Sequence, residues 1–452
     1  MKPHYLLTCL LVAGCAVGSD YQRPDVSLQT RFVGGDADAI EAVAAEQWWL
    51  AYKDATLTAF VTRGLAQNLD VMAATEAIRQ AQAELRATGV NSALDGSLSA
   101  STTRSGSDGS GTTSTVESSA LGASMVVDLF GGVRREREAA LASLTSAQAD
   151  AETVRLAWLA ELVAAYSNAR YYQEVLALIR TTIDARQETV EITRTKFEAG
   201  AATEYEVAEA QALLSTARAG LPQYAALFDA NVYAIATLLN EPAGPIVAQM
   251  QRGSPQLSTP AATRTGVPAD LLRNRPDVRS AEADLAAAVA AVGVAEAALY
   301  PSLTLSGTVG RSDGADSWSF GPQLSLPVFN QGQLRASRDV RISAASQAEI
   351  AWRASINGAV EDVQVAQSNL SRYRQRTALL NTAASDYDRA LTLAQQNYRS
   401  GAITLLDLLE TDRNTASAKI SAASAANDAA QAWATLNIAT GAGSAVTGQP
   451  SG

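Results

Sequence analysis

Lys196-Phe197-Glu198-Ala199-Gly200-Ala201-Ala202-Thr203, followed by Glu206 and Glu209, recurs as Asn397-Tyr398-Arg399-Ser400-Gly401-Ala402-Ile403-Thr404, followed by Asp407 and Glu410. The offset, Gly401 against Gly200, is 201 residues throughout. Gly200 and Gly401 suit the left-handed residue that ends a helix, and Thr203 and Thr404 suit the N-cap of the next. Each stretch therefore reads as the tip of a helical hairpin, and the chain as an internal duplication. Other echoes keep the same order: Phe130-Gly131-Gly132 with Phe329-Asn330-Gln331-Gly332, Asp70-Val71 with Asp277-Val278, and Tyr233 with Trp433. Chance similarity between Ala-rich helices would not reproduce this shared punctuation.

Upstream of each tip lies one very long helix. Residues 133–199 contain neither Gly nor Pro, and residues 333–400 are interrupted only by Gly358. At 1.5 Å per residue each spans roughly 100 Å, far beyond an ordinary globular helix. In the first, a 3-4 spacing from Leu141 to Val190 is apolar at Leu144, Ala151, Trp158, Leu162, Ala165, Ala169, Tyr172, Leu176, Ile179 and Ile183, with Gln148, Arg155 and Arg186 as exceptions. That is a coiled-coil seam. Shorter helices are expected over about 56–90, 203–239, 269–298 and 404–439. Pro242, Pro245, Pro255, Pro260 and Pro268 forbid a long helix over 241–268.

Other segments alternate with period two, the signature of strands with one apolar and one polar face. These are 302–310 and 317–328 in the second half and, more weakly, 95–104 and 119–129 in the first. Residues 105–118 and Arg311 to Asp316 read as the intervening loops. Leu303, Trp318, Phe320, Leu324 and Leu326 are the candidates for a lipid-facing band, the competing reading being the core of a small soluble hairpin domain. Strands near ten residues suit a bilayer when tilted. Four cannot close a barrel, and an unpaired edge cannot face lipid. If these strands span a membrane, several chains must share one barrel.

The composition removes whole classes of chemistry. There are 46 acidic against 35 basic side chains, a net charge of −11, which argues against nucleic acid. The single His4 and both cysteines, Cys9 and Cys15, fall within the first fifteen residues. Lys2, then the apolar run Tyr5 to Ala13, reads as a secretory signal over residues 1–14. Val12-Ala13-Gly14-Cys15 resembles a bacterial lipobox, which would leave Cys15 acylated at the mature N-terminus; the competing reading is an incidental Cys after an ordinary signal. Beyond the signal, His-based acid–base chemistry, zinc sites and disulfides are excluded. No metal site and no cofactor is expected; the Gly-rich run 106–111 lacks the Lys and the context of a phosphate loop.

Taken with these features, the sequence resembles the TolC-like outer-membrane factors, specifically the lipoprotein (NodT-type) branch of tripartite efflux systems. The resemblance covers essentially the whole mature chain. It is most specific at Asp270-Leu271-Leu272-Arg273-Asn274-Arg275-Pro276-Asp277-Val278-Arg279, at Ala298-Leu299-Tyr300-Pro301-Ser302-Leu303, and at Leu326-Pro327-Val328-Phe329. Asp20-Tyr21 with Pro24 and Trp48-Trp49 with Asp54 and Leu57 match the family's N-terminal segments, with Ser19, Tyr52 and Ala55 as departures. The resemblance implies a mainly α fold with a transmembrane β-barrel. Four strands per chain would close as a 12-stranded barrel in a homotrimer above a coiled-coil tunnel. Residues 15–55 would wrap the outside, 56–240 and 269–440 form the two repeats, 241–268 lie in an equatorial belt, and 441–452 form a loose tail.

The same resemblance implies a passive, non-enzymatic exit channel in the outer membrane of a Gram-negative bacterium, lipid-anchored and extending into the periplasm. It would receive small toxic compounds from an inner-membrane efflux transporter through a periplasmic adaptor protein. Protein secretion through a similar duct, a periplasmic coiled-coil lipoprotein, and a carboxylate hydrolase using Asp407 and Glu410 are the competing readings. At the tips, Asp407 and Glu410 match the positions of the family's constricting acidic residues, with Glu206 and Glu209 in support and Tyr398 resembling its gate-bracing aromatic. The alternative for these carboxylates is simple complementation of the helix N-terminal dipole.

Overall fold

In a computed structural model, which describes residues 17–34, 43, 46–90, 94–106, 113–261 and 265–445, the long helices and the four strands stand where the periodicity puts them. In chain order the elements are α1 (Ala55–Gln67), α2 (Leu69–Ala87), β1 (Asp95–Gly106), β2 (Thr113–Val127), α3 (Gly132–Glu198), α4 (Glu204–Leu238), α5 (Ala243–Met250), α6 (Leu271–Asn274), α7 (Pro276–Ala297), β3 (Ser302–Ser312), β4 (Ala315–Ser325), α8 (Gln331–Ser400) and α9 (Leu405–Ala439). Helix α3 has 67 residues and α8 has 70. Helices α4 and α9 begin and end 201 residues apart, so the duplication extends to the helix boundaries.

The chain forms two compact units. One comprises Met1–Ser27, Ala74–Ala151 and Asp277–Ile356; the other comprises Leu28–Ala73, Glu152–Pro276 and Asn357–Gly452. Neither follows the division at 240 and 269, because each unit takes matching pieces from both halves of the duplication.

The first unit holds the sheet, antiparallel in the order β1-β2-β3-β4. Its register aligns Leu98 with Leu121, Leu121 with Val309 and Val309 with Trp318; it also aligns Val127 with Leu303 and Leu303 with Leu324. Directly paired residues share a face, so one face carries Leu98, Leu121, Met125, Leu303, Leu305, Val309, Trp318, Phe320 and Leu324. The other carries mainly Ser, Thr and Gly. The strands outrun the expected limits. Glu117 and Val116 lie inside β2, and the expected loop from Arg311 to Asp316 shrinks to a turn at Asp313 (φ 51°) and Gly314 (φ 82°). Two residues with positive φ make the tight turn whose twist matches a hairpin, and Asp-Gly supplies them. Residues 107–112 of the other expected loop lie outside the described residues.

The second unit is helical. The expected helix over 56–90 is two helices, because Asn68 stops the first and caps the second. Its side chain accepts the N–H groups of Asp70 and Val71 at 3.0 Å each, and its Nδ2 donates to Leu238 O at 3.0 Å. Gly64 lets α1 approach α3: a Cβ there would sit 2.2 Å from the Trp158 ring. The expected helix over 269–298 is likewise divided at Arg275, extended at φ −84° and ψ 115° before Pro276, as a residue preceding proline must be.

Both ends are packed. Trp48, Trp49 and Tyr52, in the segment expected to wrap the outside, bury their rings with Trp433; Tyr52 Oη donates to Ala430 O at 2.6 Å. The segment past Gly441 is no loose tail as far as residue 445. Gly441 to Ser444 are buried, Ala442 O accepts Trp48 Nε1 at 3.1 Å, and Gly443 O accepts Arg155 Nε at 2.9 Å. Arg155, an exception in the apolar seam, is there to make that bond.

Candidate functional site

The two tips share one backbone. Gly200 (φ 72°) and Gly401 (φ 80°) are left-handed with nothing within 4 Å of where a Cβ would sit. The backbone conformation, not crowding, therefore asks for glycine. Ala201 N–H donates to Lys196 O at 2.7 Å and Ala402 N–H to Asn397 O at 2.8 Å; Gly200 and Gly401 donate to Phe197 O and Tyr398 O. This is the same Schellman closure twice.

The next helix starts alike in both. Thr203 Oγ1 accepts Glu206 N–H at 3.2 Å while Glu206 Oε2 accepts Thr203 N–H at 2.6 Å. Thr404 Oγ1 accepts Asp407 N–H at 3.3 Å while Asp407 Oδ2 accepts Thr404 N–H at 3.0 Å. Each tip thus carries a reciprocal capping box. The bonds hold both carboxyls below the usual range: the Thr404 hydroxyl first and its N–H second for Asp407, the Thr203 N–H first and its hydroxyl second for Glu206. Both stay ionised at neutral pH. Glu410 is exposed and Glu209 half-buried. Among the described residues these two make no hydrogen bond or ion pair within the chain.

The surroundings of the tips differ. Tyr398 is 4% exposed, in a cluster with Val190, Ala210, Leu214, Ala394, Leu405, Leu408 and Leu409. Its hydroxyl lies 3.0 Å from Thr193 Oγ1, Lys196 Nζ sits 3.8 Å from its ring centroid, and the same ammonium donates to Tyr398 O. Burial raises the phenol pKa, against the Thr193 bond. Below this layer Arg186 Nε meets Asp412 Oδ2 at 2.7 Å, both nearly buried, and Arg186 Nη1 donates to Leu213 O at 3.1 Å. Burial raises the Asp412 pKa, opposed by Arg186. Glu188 and Arg399 form a further, half-exposed pair. Arg186 stood out in the sequence only as a charge interrupting an apolar seam; its partner, 226 residues away, carried no signal at all.

On the sheet, Trp318 is 81% exposed, and Phe320, Leu324 and Leu326 are also exposed; Leu303 is half-buried. Leu326 lies one residue beyond β4. No helix among the described residues is long and apolar enough to cross a membrane. Cys15 lies outside the described residues. The chain that follows it is fastened to the first unit: Val17 N–H donates to Phe130 O at 3.0 Å, Arg135 Nη2 to Gly18 O at 2.8 Å, and Arg23 makes two 2.6 Å bonds to Glu282. Among the described residues no group of His, Cys, Asp and Glu could hold a metal.

Comparison with known proteins agrees with this architecture. The profile of the family described as "Outer membrane efflux protein" matches twice, over residues 61–241 and 267–442, once per half of the duplication. The chain is 38% identical to nodulation protein T of Rhizobium leguminosarum bv. trifolii over 447 residues, covering 96% of each. It is 31% identical to the pyoverdine export outer membrane protein OpmQ of Pseudomonas aeruginosa, covering 90% of this chain and 89% of the other. Its fold is similar to the open state of the Neisseria gonorrhoeae MtrE outer membrane channel, with a TM-score of 0.85 and 27% identity, over 95% of this chain and 98% of that one.

Proposed function

The chain belongs to the outer membrane efflux protein family, and on that premise we propose that it is the trimeric outer-membrane exit channel of a tripartite efflux pump. It would passively export small toxic compounds handed over by an inner-membrane transporter through a periplasmic adaptor. The observation that carries the reading is the sheet. It has one apolar face and two strands, β1 and β4, each paired on one side only. In hydrocarbon an unpaired edge costs several kcal/mol per group, so three copies sharing a 12-stranded barrel satisfy what one copy cannot. A periplasmic coiled-coil lipoprotein would have no use for such a sheet. Cys15, acylated, would add a lipid anchor beside it.

Light scattering of the detergent-solubilised protein should give a trimer, and planar bilayers should show single-channel conductance. Leu324→Arg places a charge on the apolar face, at a cost of about 2–4 kcal/mol near the bilayer midplane, and should lower trimer yield in outer membranes. Unchanged yield would overturn the barrel.

Asp407 and Glu410, with Glu206 and Glu209, would form acidic rings at the periplasmic opening, with Tyr398 bracing the closed tip from within its apolar layer. The ionised state of Asp407 supports this, since charged rings attract cations. Asp407→Ala with Glu410→Ala should raise conductance and lower cation selectivity; a double mutant that conducts and selects like the parent would leave these residues only their role at the helix start.

A further inference from the structure

The duplication predicts contacts that one copy cannot display. Within each hairpin, one polar contact repeats at the offset of 201. Arg218 Nη2 donates to Gln187 Oε1 at 2.7 Å between α4 and α3, and Lys419 pairs with Asp388 at the equivalent positions of α9 and α8. Between the hairpins, one copy shows only one of two equivalent seams, the one where the first hairpin meets the second. Near the tips it is fastened by Arg186 with Asp412, Thr193 and Lys196 with Tyr398, and Glu188 with Arg399.

If three copies alternate their hairpins around one axis, the operation that carries the first hairpin onto the second carries the second onto the first hairpin of the next copy. Applied to these fasteners, it replaces Arg186 and Asp412 by Tyr387 and Gln211, which cannot form an ion pair. It replaces Thr193, Lys196 and Tyr398 by Ala394, Asn397 and Phe197, which can form neither the hydroxyl bond nor the ammonium–ring contact. Glu188 and Arg399, however, become Arg389 and Glu198. Both charges are reversed at once, so the pair stays complementary, where a single reversal would have set like charges together. Arg389 and Glu198 are exposed, and among the described residues neither has an ion-pair partner in its own chain.

Resting on the trimer of the proposed function, we infer that Arg389 pairs with Glu198 of a neighbouring copy, and that this is the charged link across the seam between chains. Lacking the buried ion pair, the hydroxyl bond and the ammonium–ring contact, that seam is the weaker one and separates first when the tip opens. The partner surface is a second copy of this chain, in the register fixed by the 201-residue offset.

Disulfide trapping tests it on the full-length protein in membranes. Arg389→Cys with Glu198→Cys, oxidised with copper phenanthroline, should run as covalent dimers and trimers on a non-reducing denaturing gel, at least tenfold above either single substitution. A trimer by light scattering with no cross-link, or a cross-link confined to a faster-running monomer, would overturn the pairing and leave the trimeric channel standing. A monomeric parent would overturn both. Independently, Arg389→Glu should raise tip conductance about twofold, with Glu198→Arg in the same chain restoring the parent value. A reversal without effect on conductance would remove the pair from the opening seam.

Discussion

The first tip, at Gly200, and the second, at Gly401, share a helix end, a turn and a capping box, but not their environment. Tyr398 is 4% exposed in the second tip, whereas its counterpart Phe197 is 43% exposed in the first; Leu405 is buried, whereas Tyr205, one residue beyond its counterpart Glu204, is 73% exposed. Backbone closure is a local matter of bonds between residues three to five apart, so a duplicated sequence repeats it. Burial depends on what lies across the seam. In one copy only the second tip is flanked on that side, by α3, through Thr193, Lys196 and Arg186. The two tips are therefore alike in how they fold and unlike in what holds them.

The sharpest way to break that equivalence is at the buried pair. Asp412→Ala strands Arg186 and should cost about 3–5 kcal/mol, as removal of one partner of a buried ion pair does. Gln211→Ala, at the equivalent position, should stay within about 0.5 kcal/mol. Urea titration of the helical signal in detergent measures both. Equal losses would mean that the two seams are fastened alike.

The aromatic layer gives the next largest contrast. Tyr398→Ala removes a buried ring and should cost about 3–5 kcal/mol. Phe197→Ala removes a half-exposed one and should cost roughly 1 kcal/mol or less. Limited proteolysis at the tips should then cut the Tyr398 variant faster and leave the Phe197 variant near the parent rate.

The smallest effects should show where the tips remain the same. Thr203→Ala and Thr404→Ala each remove an N-cap worth about 1 kcal/mol, and the two losses should match. Protonation should act equally on both as well. The Glu206 and Asp407 carboxyls are lowered in the folded chain, so their contribution is present above the ordinary carboxylate pKa and is lost as pH falls through the lowered values, below about pH 4. Amide protection at Thr203 and Thr404, relative to the intrinsic exchange rate at each pH, should fall in parallel from pH 6 to pH 3. Fraying at one tip alone would show that burial reaches the caps.

The features legible in the sequence are those that rest on short-range bonds and on period. The 201-residue offset, the glycine at each tip, the threonine caps, the long seam of α3 and the alternation of β3 and β4 each involve residues a few places apart, where helix and strand geometry alone decide who meets whom. Tertiary structure decided the rest, because its partners lie far apart in the chain. Asn68 divides a helix by reaching Leu238, Arg155 justifies its charge by finding Gly443, and Arg186 finds Asp412. The sequence marked those residues, at most, as breaks in a pattern. What they bond to depends on how helices hundreds of residues apart lie side by side, which no local period encodes.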